Sequence, residues 1–168
     1  MIHVCSLARL HQTVEETGAR HVVTLLRNTD QVLLPRSIVR DNHLILSMDD
    51  ITAPMDGYSA PAGEHVSQLI DFVKRWDRAA PMVVHCFAGI SRSTAGAFVA
   101  ACALNPRRDE TQIAWAIRQA SPTAQPNARI VSIADTLLER KGRMVRAIEV
   151  IGSGASAYEG DPFRLEIE

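Results

Sequence analysis

Val83 to Ala97 reads VVHCFAGISRSTAGA, an apolar run and a helix-forming run with a polar turn between them. Met82–Val84 is apolar at every position, as the central strand of a parallel sheet is. Ser91–Leu104 is apolar and rich in small residues, which predicts a packed central helix. A chain that leaves a strand at His85 and curls into a helix start turns several backbone N–H groups toward one point. With the positive end of the helix dipole, these groups make an anion site. Gly89 permits the tight curl, and Arg92 can add a planar fork that holds two oxygens of a phosphate.

Outward from this segment, strands and helices alternate. Ile2–Ser6 reads as a short strand, and Ala8–Gly18 as a helix closed by Gly18. His21–Leu26 (HVVTLL) is rich in β-branched residues and predicts a buried strand, with Leu44–Met48 as another. Met48–Gly63 carries Asp49, Asp50, Pro54, Asp56, Gly57, Pro61 and Gly63, the chemistry of a long loop, and such loops are often functional. Between Glu64 and Asp77, Val66, Leu69, Ile70, Val73 and Trp76 recur at three-and-four spacing, so this is an amphipathic helix, stopped by Pro81. Asp109–Ala120 and Asn127–Lys141 are amphipathic helices, the second with Ile130, Ala134, Leu137 and Leu138 on one side. The pattern predicts an α/β fold in one domain, with a mostly parallel central sheet flanked by helices. The expected division is residues 1–151 as that domain and 152–168 as a C-terminal tail. Phe163, Leu165 and Ile167 alternate with polar neighbours, so the tail either returns as an edge strand or frays.

Composition bounds the function classes. The chain has 168 residues, 46% hydrophobic and 22% charged, the balance of an ordinary globular protein. Its 18 basic and 19 acidic residues leave a net charge of -1, so it has no global attraction to nucleic acid or to an anionic membrane. The N-terminus lacks a basic region followed by an apolar run. The longest uncharged apolar stretch, Ala95–Leu104, is about half of what a bilayer needs. Three cysteines, Cys5, Cys86 and Cys102, without a Cys-x-x-Cys pair, suit a reducing compartment. The expectation is a cytoplasmic protein with no membrane insertion. His3 with Cys5, and His85 with Cys86, lack the paired spacing of a zinc site, so no metal is expected. There is no Gly-x4-Gly-Lys-Ser/Thr loop. The Gly89–Ser93 turn also lacks the second glycine of a serine nucleophile elbow.

Cys86 stands at the centre of the anion cradle. A field that attracts phosphate also favours a thiolate over a thiol, which makes Cys86 a candidate nucleophile. His85 is placed to buttress the loop by hydrogen bonding, and the Ser93 hydroxyl to stabilise the sulfur as it leaves phosphorus. The bland alternative makes Cys86 a small buried hydrophobe and Arg92 a surface cation. Against it, His-Cys followed by Arg, with Gly89 and Ser93 also in register, would arise by chance in roughly 1 in 30,000 shuffled chains, which offsets the usual weakness of short motifs.

HCFAGISRS resembles the phosphate-binding loop of cysteine-based protein tyrosine phosphatases, nearest to the compact dual-specificity-like branch. The resemblance spans roughly His21 to Lys141. It includes a second block, Ile117–Ile130 (IRQASPTAQPNARI), where the family often has a basic residue, a Pro, then Pro-Asn opening a helix. It implies hydrolysis of a phosphate monoester through a cysteinyl-phosphate intermediate, with neither metal nor cofactor. Cys86 would attack, while the amides of Phe87, Ala88, Gly89, Ile90, Ser91 and Arg92, with the Arg92 guanidinium, would hold the oxygens. The family places its general acid just after the strand that precedes the long helix, which leaves Asp49 or Asp50. The strand end favours Asp50, with Asp49 as a solvated neighbour or loop cap and Asp56 behind both. Asn127 reads first as a helix N-cap; the resemblance adds a role in positioning loop or water.

The expected partner is a phosphorylated protein or a small phosphorylated substrate. A phosphatase of a small molecule or lipid is an alternative, although the lysine-free interior FAGIS adds little attraction for an inositol lipid. A module that binds phosphoprotein without hydrolysing it is a further one, against which an intact Cys86 and Arg92 argue. A disulfide from Cys86 to Cys102 would have to span about 16 Å of helix, beyond the roughly 7 Å limit. Cys5 remains a conceivable redox partner if the first strand runs beside that of Cys86.

Overall fold

The apolar runs become parallel strands. The computed structural model describes residues 1–168, the side chain of Gln31 excepted. Four strands, β1 (Ile2–Ser6), β2 (His21–Leu26), β3 (His43–Ser47) and β4 (Met82–Cys86), pair in parallel, and β5 (Phe163–Leu165) lies antiparallel beside β1. The strand order is β3-β2-β4-β1-β5. The helices are α1 (Leu10–Thr17), α2 (Gly63–Arg75), α3 (Arg92–Leu104), α4 (Glu110–Ala120), α5 (Ala128–Leu137) and α6 (Arg143–Ile151). This is the mostly parallel α/β fold that the sequence predicts.

Alternation along the strands splits the core in two. Cys5, Val22 and Val83 face α1, where they pack with Leu10 and Val14. Val4, Val23, Val84 and Cys86 face the opposite way, into a larger cluster with Leu69 of α2, Phe98 of α3, Ile113 of α4 and Ile130 of α5. Helix α3 runs through that cluster, and every residue from Ser93 to Cys102 is buried. A helix apolar all round is what such a position demands.

Cys5 and Cys86 thus belong to adjacent strands but to opposite faces of the sheet. The register pairs Cys5 with His85 and sets Ser6 beside Cys86. Burial pushes the Cys5 thiol up to about 11 and that of Cys102 up to about 12, so both are held as thiols.

Several bounds differ from the sequence reading: α1 starts at Leu10 after a short 3-10 turn, and β4 runs on to Cys86. Strand β3 starts and ends one residue earlier than Leu44–Met48. The helix expected over Asn127–Lys141 stops at Leu137, because Glu139 and Lys141 take φ near +55° and Gly142 is left-handed. The Asp135 carboxylate then accepts from the N–H groups of Gly142 (2.7 Å), Met144 (2.8 Å) and Val145 (3.3 Å), which starts α6 as a separate helix. Finally, of the two readings of the tail, the edge strand is the one observed: Ile2 pairs with Leu165 and Val4 with Phe163. None of the helices is long and apolar enough to cross a membrane, among the described residues.

Candidate active site

Cys86 is the last residue of β4 and only 2% exposed. Its Sγ accepts from the Gly89 N–H at 3.3 Å and lies 3.1 Å from the Ser93 Oγ. The loop from Cys86 to Arg92 doubles back at Gly89, whose φ is +72°. A Cβ there would meet the backbone carbon of Cys5 and nitrogen of Ser6 at 2.9 Å, so only glycine lets the loop close against the exit of β1. The Leu7 N–H to Phe87 carbonyl bond (3.1 Å) fastens the same junction. On the helix side, the Thr94 hydroxyl donates to the Ile90 carbonyl at 2.6 Å.

Arg92 opens α3. Its Nη1 donates to the Met48 carbonyl at 2.9 Å, while Nε is buried and has no partner among the described residues. A buried donor without an acceptor costs about 1–3 kcal/mol unless a ligand supplies one. Arg92 lines a cleft of about 230 Å³ together with Leu7, Arg27, Asp49, Asp50 and Phe87.

Behind Cys86, three polar side chains form a directed chain. Burial lowers the His85 pKa to about 4, so its ring is neutral near neutral pH. Nδ1 lies 3.3 Å from the Cys86 carbonyl, which can only accept, so Nδ1 carries the proton. Nε2 is then an acceptor and takes the Thr24 hydroxyl proton at 2.7 Å. The Thr24 oxygen in turn accepts from His43 Nε2–H at 2.8 Å. Each proton in the series is assigned by its neighbour, which fixes both tautomers.

The three candidate acids separate cleanly. Asp49 is committed to its own loop: its carboxylate pairs with Arg27 at 2.6 Å and accepts the Ser59 N–H at 2.7 Å, and its N–H donates to the Ser59 carbonyl. Asp50 is exposed and turned toward the Cys86–Arg92 loop, where Oδ1 accepts from Ser91 Oγ and from Asn127 Nδ2, both at 2.8 Å. Asp56 is exposed within the Met55–Tyr58 turn. Asn127 caps α5, its Oδ1 accepting from the Ile130 N–H at 3.0 Å, and the same amide holds Asp50 and the Ile51 carbonyl. The structure therefore gathers Cys86, Arg92, His85, Ser93, Asp50 and Asn127 around one loop and leaves Asp56 aside.

The second sequence block closes the loop from outside. The Gln125 N–H donates to the Ile90 carbonyl (2.9 Å), and that of Asn127 to the Ser91 carbonyl (3.2 Å). Arg118 collects the carbonyls of Pro122, Ala124 and Gly152, which ties this block to the tail. Sequence reasoning missed Thr24, His43 and the Met48 carbonyl. A threonine within the apolar run HVVTLL was the available signal for the first; the other two depend on which strands lie side by side. Among the described residues, no group of three His, Cys, Asp or Glu side chains is placed to hold a metal.

Comparison with known proteins follows the same lines. A family model described as "Tc-R-P: Polymorphic toxin system, DSP-PTPase phosphatase" matches residues 4–106, from β1 to just beyond α3. In fold, the chain is similar to Cydia pomonella PTP-2 phosphatase, with TM-score 0.63 and 17% identity over 80% of this chain and 84% of that one. It is similar to human DUSP28, with TM-score 0.65 and 17% identity over 83% and 89%. It is also similar to PTPMT1 solved in complex with PI(5)P, with TM-score 0.63 and 15% identity over 91% and 95%. Among curated proteins, no sequence matches significantly.

Proposed function

The chain belongs to the polymorphic-toxin DSP-PTPase phosphatase family, and on that premise we propose that it hydrolyses phosphate monoesters of proteins, phosphotyrosine foremost, through a cysteinyl-phosphate intermediate. The observation that carries this reading is a thiol and an unpaired guanidinium donor held at the two ends of one strand–loop–helix turn. Cys86 Sγ is met by the Gly89 N–H and Ser93 Oγ, and the Arg92 Nε donor is buried without an acceptor. A phosphoryl group satisfies both, since its equatorial oxygens need donors and its phosphorus needs a nucleophile.

In the first step the Cys86 thiolate attacks phosphorus in line with the leaving oxygen. The P–S bond forms as the P–O bond breaks, and the Asp50 carboxylic acid delivers its proton to the departing oxygen. The loop amides and Arg92 hold the three equatorial oxygens. In the second step the Asp50 carboxylate takes a proton from water, the water oxygen bonds to phosphorus, and the sulfur leaves as thiolate. The Ser93 hydroxyl then donates to that sulfur. Asp50 is favoured over Asp49 because Asp49 spends its carboxylate on Arg27 and Ser59. Ser91 and Asn127 hold the Asp50 carboxylate at the loop.

The test is turnover of an artificial aryl phosphate. Cys86→Ser is expected to abolish it while phosphate binding persists, because the cradle of amides is unchanged. Undiminished turnover in that variant overturns the reading. Turnover by the wild type is expected to survive a chelator.

A further inference from the structure

We propose that the cleft between the phosphate loop and the C-terminal tail is a subsite for an apolar side chain next to the phosphorylated residue of a peptide substrate. The inference rests on the reading of the site as a phosphoprotein phosphatase. The cleft measures about 320 Å³ and is lined by Leu7, Ala8, Phe87, Ala88, Tyr158 and Glu159. It shares the side chains of Leu7 and Phe87 with the cleft that Arg92 borders, so the two are neighbours across one wall.

The aromatic side chains there are presented to solvent. Phe87 is 65% exposed and Tyr158 wholly so. Exposed apolar surface of this kind marks contact sites when it is contiguous and held in place. The tail beside it is held in place here. The Gly160 N–H donates to the Ala88 carbonyl at 2.9 Å, and Ser6 Oγ donates to Glu159 Oε1 at 2.6 Å. A Cβ on Gly160 would stand 2.8 Å from the Gly89 carbonyl oxygen, so the tail backbone lies directly against the phosphate loop. Residues 159 and 160 are anchored in this way, and Tyr158, next to them, lines the cleft with its side chain open to solvent. This part of the tail lies beyond residues 4–106, the part matched by the family model.

The occupant follows from geometry and charge. An extended peptide advances about 3.5 Å per residue, so a residue one or two positions from the phosphorylated one reaches across the shared Leu7–Phe87 wall. Burying an apolar side chain there removes surface from water on both partners. A polyphosphorylated lipid headgroup fits less well, because no Lys or Arg lines the cleft and the Glu159 carboxylate stands on its rim.

The experiment uses the full chain and compares para-nitrophenyl phosphate, two phosphotyrosine peptides with Leu or Asp flanking the phosphotyrosine, and PI(5)P in vesicles. The wild type is expected to favour the Leu-flanked peptide in kcat/KM by about tenfold, mostly through KM. Tyr158→Ala and Ala8→Glu are each expected to bring the two peptides to within about threefold. Turnover of para-nitrophenyl phosphate should stay as in the wild type. Equal use of both peptides by the wild type, or a preference that survives both substitutions, overturns the subsite while aryl phosphate turnover keeps the phosphatase reading intact. A preference for PI(5)P over both peptides overturns it in favour of a lipid. Failure of the wild type to turn over para-nitrophenyl phosphate sinks the phosphatase reading and the subsite together.

Discussion

Asp49 and Asp50 are neighbours in the chain with opposite employments. One anchors its loop to Arg27, and the other faces Ser91 and Asn127. Asp50→Asn is expected to lower kcat on a phosphate ester with a poor leaving group by about two to four powers of ten. Asp49→Asn should cost less and act through loop placement; a reversed order in steady-state kinetics would reassign the acid. The same scale shows what could be read from sequence. The placement of Cys86, Gly89 and Arg92 was legible because it is local, set by the spacing of a single strand–loop–helix turn. Choosing between the two aspartates drew on a family resemblance, because the Arg27 partner that removes Asp49 from contention is 22 positions away in the chain. Thr24 shows in the sequence only as a polar residue in an apolar run, and His43 not at all, since their link to His85 exists only once β2 lies between β3 and β4.

Among the elements, the turn at Gly89 carries the sharpest constraint. Both its φ of +72° and the 2.9 Å approach to the β1 backbone exclude a side chain. Gly89→Ala is expected to cost about 1–3 kcal/mol of stability. It should also remove most aryl phosphate turnover, because the amide facing Cys86 Sγ moves. Denaturant unfolding and kinetics on the same preparation check both. Most strand and helix bounds followed from hydrophobic periodicity and from Pro or Gly stops. The break between α5 and α6 escaped because it has no proline. It is made by three residues at positive φ, Glu139, Lys141 and Gly142, and by the Asp135 carboxylate reaching seven residues ahead to Gly142. The sequence presents that aspartate simply as a polar position on a helix.

For the molecule as a whole, histidine burial sets the acid side of stability. The His85 pKa falls from an ordinary 6.5 to about 4 on folding, so the unfolded chain binds a proton over that interval that the folded chain refuses. Stability therefore falls as pH drops from about 6.5 toward 4, by up to about 3 kcal/mol from His85 alone. Burial lowers the pKa of His3, His21 and His43 as well, which adds loss of the same sign. Urea unfolding at about pH 7.5 and pH 5 should show the decline, and His85→Gln should flatten it. An equally steep decline in that variant would place the effect elsewhere.

The pairing of β5 with β1 in antiparallel register brings both termini to one pole of the sheet. Ile2 meets Leu165, while Ser6 at the other end of β1 lies beside Cys86. Anything tethered through either end of the chain, whether a dye, a surface linker or a neighbouring folded module, consequently departs from the pole facing away from the Cys86 loop. Immobilised by either end, the protein should still meet bulky substrates with its working side outward.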